Sequence, residues 1–254
     1  MASSELWRIN AFLSDFVRRQ AARTVSLPGG FAVLDDAFAH SRANNQVVID
    51  QSSVDPEALP AIADEALAHL PHRMISVLDD AVGTACAEPL LRAGYTQSTH
   101  LVMLHTGSVP ADGRAEEVDL DALRLPLTRR WRGFLPDVDD EVIRHLVDRR
   151  EARRRGADVV QFIGARMEGG EVASWADLYL DPASGIAQIE DLISSEAHLG
   201  RGYANAVLAT ALRRAADADC DTRFLTADAV DWPRHWYERH GFTAIGQSHC
   251  FDRG

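Results

Sequence analysis

Two glycines flank an arginine in the stretch Leu199-Gly200-Arg201-Gly202-Tyr203-Ala204. An apolar run precedes it and an alanine-rich helical run follows. The first turn of a helix presents main-chain N–H groups that have no partner inside the helix, at the positive end of its dipole. A diphosphate fits there if the backbone can approach closely, and glycine has no Cβ in the way. The Arg201 guanidinium can add a charge-assisted hydrogen bond. The stretch is therefore a candidate anion cradle, against the plainer reading of a flexible turn. It is not a P-loop, because no Lys-Ser/Thr pair follows. It is a poor dinucleotide fingerprint, because the third glycine is missing and antiparallel hairpins precede it.

The elements around the cradle can be read from pattern. Ala204, Val207, Leu208, Ala211, Leu212 and Ala215 recur at three- and four-residue steps, which predicts a helix from Tyr203 to about Ala216 with one buried face. Upstream, "VVQFIGARM", "EVASWADLYLD" and "AQIEDLIS" read as strands joined by the turns "EGGE" and "DPASG". Ahead of them "VDDEVIRHLVDRREARRRG" reads as one helix ending at Gly156. Downstream come the strand "TRFLTAD", a helix "DWPRHWYERHGF" with Asp231 as N-cap and Gly241 at its stop, and the strand "TAIGQSHCF".

The segment "HTGSVPADGRAEEV" loses periodicity and gathers Gly, Pro, Ser and charge, as a linker does. We place the linker at 109–116, between a domain at 1–108 and another at 117–254. The first half reads as the strands "GGFAVLDD", "NQVVID", "RMISVLD" and "YTQSTHLVML". They alternate with the helices "DPEALPAIADEALAHL", capped by Asp55 with Pro56 in the first turn, and "AEPLLRAG", stopped by Gly94. The N-terminal stretch reads as an amphipathic helix, not a signal peptide. "LLRAGYTQSTHLVM" and "YERHGFTAIGQSHCF" share a helix end, Gly, an aromatic, Thr and a strand, so the halves look like two copies of one architecture.

Composition narrows the chemistry. The net charge is −12, which disfavours nucleic acid as a partner and mildly favours an amine ligand. Every basic residue other than histidine is arginine, so a catalytic lysine is excluded. Cys86, Cys220 and Cys250 show no metal or disulfide spacing, and the histidines form no HExxH; we expect no metal and a reducing, cytoplasmic compartment. No apolar run is long enough to span a bilayer, and no membrane partner is expected.

The cradle, together with Tyr237 one turn before Gly241-Phe242, resembles the GNAT superfamily of acyl-CoA-dependent N-acyltransferases. Their phosphate loop reads Arg/Gln-x-x-Gly-x-Gly/Ala. Residues 201 to 204 and Gly200 fit that pattern, and Leu199 departs from it. The resemblance covers roughly residues 117 to 254. It implies an α/β fold of the α+β type, with two tandem acyltransferase-like domains, each a mixed and mostly antiparallel sheet flanked by helices. It also implies acetyl-CoA as co-substrate. The diphosphate would sit on residues 199 to 204 and the pantetheine arm would pair with the main chain of Leu192, Ile193 and Ser194, where "IEDLIS" parts from "RFLTAD". A carboxylate would take the amine proton. Glu190 and Asp191 are the candidates, on opposite faces if side chains alternate, with Glu190 preferred. Gln188 shares the face of Glu190. Main-chain N–H groups near Leu192 would stabilise the oxyanion. Tyr237 would protonate the leaving thiolate.

The expected reaction is acetyl transfer to a primary amine, on a small molecule or a peptide N-terminus; a homodimer is compatible with this reading. The alternative is a non-catalytic acyl-CoA sensor on the same fold. The first half is expected to be a degenerate copy. Leu90 stands where Tyr237 stands in the second half, and no glycine separates "NQVVID" from the helix after it. Trp175, Trp232 and Trp236 could line an acceptor pocket, although such residues are more often core, and they are not assigned.

Overall fold

Strand alternation sends successive side chains to opposite faces of a sheet, and in the N-terminal part of the chain each face finds its own helices. The computed structural model describes residues 2–254, with side chains from Ser4 onward. The chain divides into two compact units: residues up to Leu104 together with Thr226–Gly254, and His105–Leu225.

The first unit begins with helix α1 (Ala2–Gln20), then strands β1 (Arg23–Leu27), β2 (Gly30–Leu34) and β3 (Gln46–Ile49). Helix α2 (Leu59–Ala66), strand β4 (Arg73–Val77), helix α3 (Asp80–Arg92) and strand β5 (Thr96–His105) follow. Its last elements come from the far end of the chain, helix α8 (Pro233–Arg239) and strand β11 (Phe242–Arg253). The strand order is β1-β2-β3-β4-β11-β5. Ala32, Leu34, Val47 and Ile49 pack with Leu59, Ala63 and Leu67 of α2 and Cys86 and Leu90 of α3. The intervening Phe31, Val33 and Val48 pack with Val17 of α1. This is the two-residue period of a sheet covered on both faces.

Two elements differ from the sequence reading here. The chain at 56–58 is a turn, and α2 proper starts at Leu59 with Pro60 in its first turn. Asp55 instead accepts the Glu57 amide (3.1 Å), a local turn that competes with the helix. Helix α3 is longer than "AEPLLRAG", because Asp79 caps it by accepting the Val82 amide. Gly94 ends it at φ +86, a conformation glycine takes without strain.

The division by compactness also differs from the halves 1–108 and 117–254. Strand β11 pairs antiparallel with β4, from His249 opposite Val77 to Arg253 opposite Arg73, and lies between β4 and β5. Arg253 then donates to the Ala93 carbonyl (3.0 Å) and covers the Tyr95 ring. Pairing along the sheet therefore draws the last 29 residues into the first unit (Thr226–Gly254).

His249 in β11 is buried against α3. Gln97 Nε2 donates to its Nδ1 (2.9 Å), so Nε2 carries the proton toward Asp80 Oδ1 (2.9 Å). A Cβ at Gly83 would stand 2.1 Å from the His249 Cδ2 atom. Gly83→Ala gains about 1 kcal/mol of helix propensity, but overpacking costs about 1–3 kcal/mol. The clash is with a ring fixed on both nitrogens, so the upper part of that range applies. We expect a net loss of about 1–2 kcal/mol in urea unfolding.

The second unit carries strand β6 (Glu116–Glu117), helices α4 (Leu120–Phe134), α5 (Asp140–Asp148) and α6 (Arg150–Arg153), and strands β7 (Val159–Arg166), β8 (Val172–Asp181) and β9 (Ile186–Ser194). Helix α7 (Tyr203–Asp217) follows, and the chain leaves the unit along strand β10 (Thr222–Asp228). The order is β10-β9-β8-β7-β6. Helix α7 buries Val207, Leu208, Ala211, Leu212 and Ala215, the stripe expected from the sequence. Leu123 and Leu127 of α4 pack with Phe162, Val172 and Trp175 of the sheet. The segment expected as linker is tied down at its end. Thr210 of α7 donates its hydroxyl to the Ala115 carbonyl (3.4 Å) and accepts the Ala115 amide (3.1 Å), and Glu116 and Glu117 pair with β7. Helix α4 has no counterpart in the sequence reading, and the single helix expected ahead of Gly156 is two, α5 and α6. No helix among the described residues is long and apolar enough to cross a membrane.

Candidate functional site

The turn before α7 takes the backbone its glycines allow. Gly200 has φ +74 and Gly202, the N-cap of α7, has φ +84. Both angles favour glycine. A Cβ built at either position meets nothing within 4 Å, so the space over the loop is open. The first helical bond runs from the Ala206 amide to the Gly202 carbonyl (3.2 Å). The amides of Tyr203, Ala204 and Asn205 therefore precede the helical ladder, as the first turn of any helix leaves them. Leu199 and Arg201 are exposed beside them.

The neighbouring strands part. β9 and β10 are parallel and in register only from Ile186 opposite Thr222 to Gln188 opposite Phe224. β9 runs on to Ser194. On its other edge the Ser195 amide donates to the Ala173 carbonyl (2.9 Å) and Ser174 Oγ donates to the Ile193 carbonyl (2.7 Å). Main-chain groups alternate along a strand. Those of Ile193 thus turn to β8, and those of Leu192 and Ser194 turn to the edge where pairing with β10 has ended. Open glycine backbone and an unpaired strand edge are what a diphosphate and an amide-bearing pantetheine arm require, so these residues fit a coenzyme A thioester.

A bulge reshapes β9 between these features. Asp177 faces Glu190 and Trp175 faces Ile193, so two residues on β8 span three on β9. Asp191 takes up the extra residue with φ +50, a left-handed angle that aspartate tolerates better than most residues. Alternation fails here, and this corrects the expectation that Glu190 and Asp191 lie on opposite faces. Arg150 donates through Nε to Asp177 Oδ1 (3.1 Å) and through Nη2 to Asp191 Oδ2 (2.8 Å). Arg153 Nη1 donates to Asp177 Oδ2 and to Asp191 Oδ2 (2.9 Å to the latter). Asp177 and Asp191 thus share two guanidinium groups, and Glu190, opposite Asp177, shares their side of the sheet. Gln188 Nε2 donates to Glu190 Oε2 (2.7 Å), which bears out the shared face expected for those two residues.

Charge in this cluster is nearly balanced by three arginines and three carboxyls. Asp177 is fully buried and Arg150 is 1% exposed. Burial works against the Asp191 carboxylate, yet Arg153, Arg150 and Arg149 hold it well below the usual range. Burial, followed by the Asp191 charge, pushes Glu190 up to about 7, with Arg153 acting in the other direction. Burial and the neighbouring Arg153 pull Arg149 down to about 10. A carboxyl that titrates near neutrality is suited to general-base work.

On the same sheet face, a cleft of about 290 Å³ is lined by residues of α4, Trp175, Ile193 and Ser194 of the sheet, and the turn at 195–198. Trp175, unassigned from sequence between core and pocket, is both buried and a wall of this cleft. Tyr237 belongs to the first unit, where it is buried between Trp236 (5.3 Å between ring centroids) and Phe242 (5.8 Å). Its own surroundings follow the sequence motif: the short helix α8 stops ahead of Gly241, φ +83, and Phe242 returns against the Tyr237 ring.

In the counterpart place of the first unit the strands do not part, although a cavity of about 510 Å³ lies between α1 and the strand ends. Parallel β3 and β4 stay paired from Val47 opposite Ile75 to Ile49 opposite Val77, and the Leu78 amide continues the ladder to the Ile49 carbonyl (3.1 Å). Helix α1 then crosses the strand ends. Asn10 donates to the Leu78 carbonyl (3.1 Å), and Ser14 (2.6 Å) and Arg18 (2.9 Å) donate to Asp50 Oδ2.

Residues 127–242 match the model of the acetyltransferase (GNAT) family. No curated protein matches the chain. Among solved structures, a GCN5-related N-acetyltransferase from Kribbella flavida aligns over 98% of this chain and 95% of its own, at 18% identity and a TM-score of 0.62. A functionally unknown conserved protein from Staphylococcus epidermidis aligns over 91% and 93%, at 12% identity and a TM-score of 0.65. A GCN5-related N-acetyltransferase from Sphaerobacter thermophilus aligns over 89% and 76%, at 13% identity and a TM-score of 0.54. At these identities the likeness is one of fold. Residues 127–242 thus resemble the GNAT acetyltransferase family in sequence, and the fold likeness extends over the N-terminal half as well.

Proposed function

We propose that the chain is an N-acetyltransferase that moves an acetyl group from acetyl-CoA to a primary amine by direct attack. The observation that carries this reading is the parting of β9 from β10 beside the open, glycine-lined mouth of α7. Leu199 to Ala204 would hold the diphosphate. Leu192 and Ser194 would offer main-chain groups to the pantetheine arm, and an amide near Leu192 would face the developing oxyanion. The thioester supplies the activated acyl group. Glu190 would take the proton of the attacking amine, directly or through a water, and its position near neutrality supports that role. Tyr237 would protonate the departing thiolate. Acceptors would be small amines or peptide N-termini.

The exposed Leu199, where the family has Arg or Gln, favours a second reading as an acyl-CoA sensor without turnover. Both readings need the cradle, and calorimetry tests it. The full chain should bind acetyl-CoA and CoA and bind ATP far more weakly. Gly202→Ala places a Cβ into the open space at φ +84 and should weaken CoA binding about tenfold or more, from roughly 1–2 kcal/mol of left-handed strain and lost approach. Equal affinity for ATP, or no affinity for CoA, would overturn the cradle. Thiol release with any amine then separates enzyme from sensor.

A further inference from the structure

Four arginines lie on α4, and three of them are paired. Arg124 meets Asp121 and Asp148, Arg129 meets Glu171 (2.5 Å), and Arg132 meets Asp140 and the Val138 carbonyl (2.5 Å to Val138). Arg130 is different. It is half-buried and lines the cleft beside Trp175 and Ile193. Among the described residues, no acceptor lies within hydrogen-bond distance of its guanidinium. Its one contact of this kind is the Phe134 ring, 4.7 Å from Cζ to the centroid.

Five N–H donors without acceptors, partly withdrawn from water, are costly to leave unmet. Burial pushes the Arg130 guanidinium down from its usual range, although Asp191 and Glu196 act in the opposite direction. A planar carboxylate answers such a group in a two-pronged hydrogen bond. Pro126, Phe134, Trp175 and Ile193 give the cleft apolar walls, and Glu171, which Arg129 engages, Ser194, Ser195, Glu196 and His198 give it a polar side. The volume, about 290 Å³, suits a ligand of amino-acid size. Trp175 and Ile193 share the sheet face of Asp177 and Glu190, so a ligand seated here has the candidate base on its own side of the sheet.

We propose that Arg130 recognises a carboxylate on the acceptor, so that the substrate class is an amino acid or short peptide with an apolar side chain, not a simple cationic amine. This rests on the acetyltransferase reading above. Arg130 acts by holding the acceptor, with no part in the proton transfers.

The test uses probes that resemble the product and need no turnover. N-acetyl-leucine, N-acetyl-phenylalanine and N-acetyl-methionine are titrated against the full chain, each beside its own amide. The acids should bind about tenfold to a hundredfold more tightly than the amides, the range of a charge-assisted pair. Arg130→Gln should abolish the difference, and Arg130→Lys should restore part of it, since a point charge lacks the fork. Acetyl-CoA affinity is measured on the same samples. Acids that bind no better than their amides to the wild-type chain overturn the proposal, whatever the variants do. A preference for acids that survives in Arg130→Gln overturns it too. Failure to bind acetyl-CoA would count against the acetyltransferase reading alone, because the acid–amide comparison is read without it.

Discussion

Glu190→Gln should lower kcat/KM by about 10²–10⁴-fold, the usual contribution of a positioned general base, while acetyl-CoA affinity stays unchanged. The pH profile makes the expectation specific. As the proposed base, Glu190 must be ionised to accept a proton, and burial beside Asp191 pushes it up to about 7. Activity should therefore rise with pH through a limb near 7 and level off above it. In Glu190→Gln the residual activity should lose that limb. The groups that face Glu190 are Asp177 and Tyr179 from β8, Asp191 from its own strand, and Arg153 from α6. Stability carries the opposite sign. A carboxyl raised on folding binds its proton more tightly in the folded state, so its contribution is complete below the ordinary glutamate range and is lost as pH rises toward 7. Wild-type stability should fall across that window, and Glu190→Gln should flatten the fall. A wild-type limb that persists in the variant would remove Glu190 as the base and turn attention to a water chain.

The features legible in the sequence were those with local causes. Gly200 and Gly202 announce left-handed backbone by residue type, and the α7 stripe announces its buried face by spacing. Gly241-Phe242 after Tyr237 is likewise a helix stop followed by a strand. The remainder depends on partners distant in the chain. Alternation places Glu190 and Asp191 on opposite faces, and nothing in "QIEDLIS" signals the extra residue that brings both to Arg153. The pairing of β11 with β4 joins residues more than 170 positions apart (Cys250 with Ser76), so the linker signal at 105–118 marks the limit at Leu104/His105, and nothing local marks the second one at Leu225/Thr226. Helix α4, and with it Arg130, was hidden by Pro126 inside it. Proline removes a helical donor and suggests a break. Two weaker signals point the other way: Asp119 accepts the Ala122 amide (2.8 Å) as an N-cap, and Leu120, Leu123 and Leu127 keep helical spacing on the buried side. A cap followed by a three–four apolar stripe was the observation that could have found it.

Asp177→Asn should destabilise the protein by about 3–5 kcal/mol, the cost of removing one partner from a buried ionic group. Asp177 is 0% exposed, and both of its oxygens are engaged. Oδ1 accepts from Arg150, and Oδ2 accepts from Arg153 and from the Tyr179 hydroxyl (3.1 Å). The amide keeps the shape and loses the charge. It leaves Arg150 and Arg153 with Asp191 as their remaining carboxylate, and an uncompensated guanidinium has no water to turn to. Since whole domains are stable by only about 5–15 kcal/mol, the loss should be plain as a shifted urea midpoint with an unchanged slope. The same substitution reaches the chemistry. Asp177 is one of the negative neighbours that raise Glu190, after burial and Asp191. Its removal should move the limb of the activity profile toward lower pH in whatever fraction remains folded. A shift in stability without a shift in that limb would mean that the ionic cluster supports the fold alone. Both shifts together would show that the ionic cluster, besides supporting the fold, contributes to the proton affinity of the base.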